Sequence, residues 1–110
     1  MRAGKLDRRL TLLSYGSEGT NAFGDPADAW TDIGTVWASK QDVSDAERMR
    51  AQALGATITT RFVVRSTERA RGLKRRDRVR CDGVTYDVVG LKEVGRRDGI
   101  EITAAAAEEG

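Results

Sequence analysis

The sequence has no histidine, a single cysteine, a single proline and six aromatic side chains, and each shortage removes a class of function. Without histidine, no Ser-His or Cys-His nucleophile pair can form. A tetrahedral zinc site would need several thiolates, which Cys81 alone cannot supply, and an intrachain disulfide is excluded for the same reason. The glycines at positions 16, 19 and 24 fit neither a phosphate-binding P-loop nor a dinucleotide fingerprint. No stretch approaches the ~18 consecutive apolar residues of a membrane span. Met1-Arg2-Ala3-Gly4-Lys5 has no apolar run behind it, so we expect no secretory leader and a chain that stays in the cytosol where it is made. Asp42, Asp45 and Glu47 lack the spacing of a calcium loop. The expectation is a protein without catalytic residues, metal or cofactor.

What the chain does have is charge. Charged residues make up 33% of its 110 residues and apolar residues 39%, with a net charge of +2. One domain with a thin core follows from that size, and such a subunit gains stability by docking. The field of the whole molecule is too weak to mark a nucleic-acid binder, so any attraction to DNA must come from local clustering.

The residue pattern is mainly β, a small barrel or sandwich of about six short strands with one helix and a long N-terminal loop. Arg9–Ser14 alternates as a first strand, with Leu10 and Leu12 on one face. Residues 15–29 hold Gly16, Gly19, Asn21, Gly24, Asp25 and Pro26, and predict a long loop that becomes ordered on contact with a partner. Trp30–Val43 reads as extended, with Gly34 marking a bulge or a bend. Trp37 reads as a core filler, whereas Trp30, beside the loop, also suits an interface anchor.

Ser44-Asp45-Ala46-Glu47 fits a capping box that opens a helix over 44–55. Its apolar stripe is Ala46, Met49, Ala53 and Leu54, and Gly55 stands as the C-terminal stop. Thr57–Arg65 alternates as a half-buried strand. Asp82-Gly83 between Val79-Arg80-Cys81 and Val84–Val88 predicts a tight type I′ hairpin. Cys81 there reads as a small packed hydrophobe. Residues 95–99 form a second hairpin tip before a strand containing Ile100 and Ile102, and residues 104–110 read as a fraying tail.

The densest charge lies between Glu68 and Arg80, read as a basic loop running into a strand. It lacks the interleaved aromatics that stack single-stranded bases. Duplex phosphates, an acidic protein surface and a plain solvated linker all remain open for it. Lys74, Arg75 and Arg76 are consecutive and point in different directions, which suits sequence-blind contact.

Several segments in series resemble the phage head-tail joining, or head-tail adaptor and stopper, family of head completion proteins. Arg2-Ala3-Gly4-Lys5-Leu6-Asp7-Arg8-Arg9-Leu10-Thr11-Leu12 is similar to its opening, and Phe23-Gly24-Asp25-Pro26 followed by Trp30 to the signature after its variable loop. Val36-Trp37-Ala38 resembles its second strand, and Arg61 with Arg65 its alternating arginines. Asp77-Arg78-Val79, Gly83 and Tyr86-Asp87-Val88 resemble its central hairpin, and Gly95-Arg96-Arg97 before Ile100-Glu101-Ile102 its closing one. The chain departs from the family pattern in Ala104–Ala107 and in the length of its basic segment.

The resemblance implies a β-barrel neck subunit of a tailed phage, prophage or gene transfer agent. It implies a homo-oligomeric ring of roughly six or twelve copies, in the virion neck after a period in the host cytoplasm. Its expected partners are a portal or adaptor ring, tail terminator or tail tube proteins, and packaged double-stranded DNA held non-specifically, with no membrane. The expected contact residues are Phe23, Asp25, Trp30, Arg71, Lys74, Arg75, Arg76, Arg96 and Arg97. The runner-up reading is a basic DNA-contacting module without catalysis, and a third is a small-molecule-binding barrel.

Overall fold

The structure is a computed structural model and describes residues 5–16, 29–96 and 98–106. Six strands and two helices follow in chain order: β1 (Arg8–Gly16), β2 (Ala29–Asp42), α1 (Asp45–Ala53), β3 (Thr60–Arg65), α2 (Glu68–Arg71), β4 (Arg78–Cys81), β5 (Val84–Val94) and β6 (Gly99–Ala106). All pairings are antiparallel, and the order β1-β2-β3-β6-β5-β4 closes on itself as a barrel. Closure removes the unpaired sheet edges that a small β protein would otherwise expose.

Period-two alternation decides what fills the barrel. Leu10, Leu12, Ala38, Phe62, Val64, Val79, Ile102 and Ala104 are fully shielded from solvent, and Phe62 meets Tyr86 edge to face with ring centroids 5.1 Å apart. These side chains pack together as one core cluster inside the barrel. Cys81 packs among them as expected, and burial pushes its thiol pKa up.

The local turn chemistry acts as the sequence indicates. Asp82 (φ 52°) and Gly83 (φ 80°) carry the two positive angles of the β4–β5 turn. At Gly34 (φ 136°) the ladder slips: Leu12 pairs with Gly34 and Leu13 with Asp32, which leaves Ile33 as the extra residue of a bulge.

Five expectations need correction. Trp37 is not in the core: it is 51% exposed, because alternation gives the inward position to its neighbour Ala38. No residue of α1 is buried, and Met49 and Leu54 face solvent: the helix meets the barrel through the polar pair Glu47–Arg61 rather than through its apolar stripe. The capping box is only half made. Ser44 Oγ accepts from the Glu47 amide at 3.2 Å, but the Glu47 carboxylate turns to Arg61 instead.

Residues 104–106 do not fray. Ala104 and Ala105 are buried in β6, where small side chains fit between β3 and β5, and Thr59 Oγ1 accepts from the Ala106 amide at 3.1 Å. The basic segment is not a simple loop either. Thr67 caps α2, with Oγ1 accepting from the Ala70 amide at 3.1 Å, and Ala70 and Leu73 are buried in the core cluster. Residues 17–28, the bulk of the long N-terminal loop, lie outside the described residues.

Candidate functional site: a basic barrel end

The β1–β2 connection, the segment from β3 through α2 to β4, and the β5–β6 turn all leave the same end of the barrel. This follows from strand direction: Gly16 pairs with Ala29, Arg65 with Gly99, and Val94 with Gly99. The opposite end carries α1 and the Asp82-Gly83 turn. The topology therefore brings the end of β1, the start of β2, the basic segment and the described part of the β5–β6 turn to one end.

Charge is concentrated there. Residues 66–80 hold seven arginines and lysines against Glu68 and Asp77, an excess of five positive charges in a chain whose net charge is +2. The remainder of the molecule is correspondingly negative, so the protein is electrically polar even though its total charge is small.

Backbone anchors hold this basic end in place. Asp77 is 2% exposed; its carboxylate accepts from the Lys74 amide at 2.7 Å, and its own amide donates to the Lys74 carbonyl at 2.9 Å. Val88 N donates to the Asp77 carbonyl at 3.1 Å, which fastens the turn to β5. On this clamp Lys74, Arg75 and Arg76 stand exposed, with no ion-pair partner among the described residues. The buried Asp77 that organises the turn was quoted in the sequence only as part of a motif. An acid immediately after three cations and before an alternating strand was the available signal.

Arg71 donates to both the carbonyl and the hydroxyl of Ser66, and the Ser66 amide donates to the Asp98 carbonyl at 3.1 Å. That chain of bonds links α2 to the β5–β6 turn, which carries the exposed Arg96. Trp30 lies under the guanidinium of Arg78 at 4.5 Å, and Arg78 also donates to Asp87 at 2.8 Å. Trp30 is thus tied to β4 and half-buried. Phe23, Asp25 and Arg97 lie outside the described residues.

The arrangement can attract anions. Among the described residues no three histidine, cysteine, aspartate or glutamate side chains are grouped to hold a metal ion. Asp45 pairs with Arg48, and Glu47 with Arg61. No helix of the described residues is long and apolar enough to cross a membrane.

The chain is thus a closed six-stranded antiparallel barrel with exposed cations gathered at one end. The sequence matches the family described as phage head completion protein over residues 1–108, and the chain belongs to that family, with a structural role in the phage particle. The solution structure of protein SF1141 from Shigella flexneri 2a is similar in fold, with a TM-score of 0.78, 23% identity and 100% of each chain covered. No curated protein matches the chain.

Proposed function

We propose that this protein is a neck subunit, a head-tail connector or stopper, that assembles as a ring below the portal, closes or lines the DNA channel and docks the tail. It works by assembly rather than catalysis. The observation that carries the reading is the clamped turn at the basic end, where Lys74, Arg75 and Arg76 stand without ion-pair partners among the described residues on a family-matched barrel. Holding three exposed cations on a turn fixed by a buried aspartate presents them to a partner. A ring repeats that presentation around an axis through one heterologous contact.

The same exposed cations favour a second reading, sequence-blind contact with duplex phosphates by an unassembled subunit. The two separate in particles carrying Lys74→Ala, Arg75→Ala and Arg76→Ala together. The neck reading expects heads that lose DNA or fail to acquire tails. Normal, filled and tailed particles would overturn it.

A further inference from the structure

Outside the basic end, the most unusual exposed side chain is Trp37. It projects from the flank of β2 and is 51% exposed, and the guanidinium carbon of Arg9, its register partner on β1, lies 4.7 Å from the ring centroid. On the other side, Ala38 pairs with Val64, which sets Trp37 beside Arg65 of β3. Leu6 and Asp7 complete a shallow depression with Trp37 and Arg65. Among the described residues neither Arg9 nor Arg65 has an ion-pair partner.

Exposed tryptophan and arginine are the residue types that concentrate binding energy in protein interfaces. A guanidinium stacked on an aromatic ring keeps its edge N–H groups free for carboxylates. We propose that this face of β1, β2 and β3 is a docking surface for a partner protein segment that presents an apolar side chain flanked by carboxylates. The apolar group lies against Trp37 and Leu6, and the carboxylates bond to Arg9 and Arg65. Leu6 beside Trp37 gives the depression an apolar part between its two arginines, which suits a protein side chain flanked by carboxylates better than a uniformly charged phosphate backbone. The surface is on the barrel flank and is independent of the neck reading.

The test uses the chain with Trp30→Phe, which leaves Trp37 as its sole tryptophan, with near-UV circular dichroism to verify the fold. The probe is a synthetic peptide with one leucine flanked by aspartates, and the control is the same peptide with asparagines. The aspartate peptide is expected to shift Trp37 emission saturably. Affinity is expected to fall at least about tenfold, a loss of about 1.4 kcal/mol, with the asparagine peptide, with Arg9→Ala plus Arg65→Ala, and with the milder Arg65→Gln, and to be unchanged by Lys92→Ala. Equal binding of both peptides, or no shift, would overturn the proposal. Competition by duplex DNA, or a shift that tracks protein concentration without peptide, would assign the surface to nucleic acid or to a second copy and overturn it equally.

Discussion

Arg61 on the outside of β3 donates two hydrogen bonds to the carboxylate of Glu47 in α1, one of them at 2.8 Å, and joins a helix with no buried residue to the barrel. Arg61 Nε is buried without a hydrogen-bond partner among the described residues and lies 3.6 Å from Glu101, so the guanidinium sits between two carboxylates. A helix of 9 residues is too short to persist by itself.

This ion pair predicts an acid-sensitive helix. The hydrogen bond from Arg61 holds the Glu47 carboxyl below the usual glutamate range, against the opposing effect of desolvation, with the charges of Arg61 and Arg50 adding to the shift. A lowered folded-state pKa means the stabilisation is complete above the ordinary glutamate pKa and is lost as pH falls through the folded value. Amide exchange in α1, corrected for intrinsic rates, should therefore accelerate on acidification before exchange in the barrel does, and Glu47→Gln should accelerate it already at neutral pH. Exchange in α1 that ignores both changes would contradict this.

Gly34→Ala should destabilise the fold by about 1–3 kcal/mol, because its φ of 136° is a conformation that side-chain-bearing residues rarely adopt. A Cβ there would also lie 2.5 Å from Cδ of Arg69. Arg69 is exposed and able to move aside, so most of the loss should persist when Arg69→Ala is combined with it, as measured by urea unfolding. Full recovery in the double variant would show that crowding, not the backbone, is the cause.

Asp77→Ala should lower stability by about 1.5–3 kcal/mol, the contribution of a hydrogen bond to a charged acceptor. The same change should release the Lys74–Arg76 turn and raise its amide exchange. Unchanged protection at Lys74 would refute the clamp.

Much of this arrangement was legible from local rules. The Asp82-Gly83 turn, the Gly34 bulge and the Ser44 cap each depend on a few neighbouring residues, and the mainly β fold follows from short alternating strands, whereas the choice between barrel and sandwich did not. Trp37 shows where composition misleads, since a large aromatic suggests core while the alternation around Val36 and Ala38 points it outward. Ala104–Ala106 were illegible because alanine has little strand preference and is held there by β3 and β5, which are distant in sequence. Likewise the partner of Glu47 was Arg61, 14 positions away, rather than the nearby cap. The grouping of the basic segments at one end is a property of strand direction, visible only once the barrel order is known.

Replacing Lys74, Arg75 and Arg76 by alanine should leave thermal unfolding nearly unchanged, because exposed charges contribute little to stability. If duplex phosphates are the target, the slope of log affinity against log salt should become shallower by roughly two to three units. Fluorescence anisotropy at several salt concentrations measures it. An unchanged slope would remove these residues from the DNA contact.

The most direct test of the neck assignment is the number of copies of this protein in purified particles, measured by quantitative mass spectrometry against the portal. A ring predicts a fixed multiple-copy stoichiometry of roughly six or twelve, present in complete particles and retained on the head vertex when tails are sheared away. A single copy per particle, or its absence from particles altogether, would contradict the account.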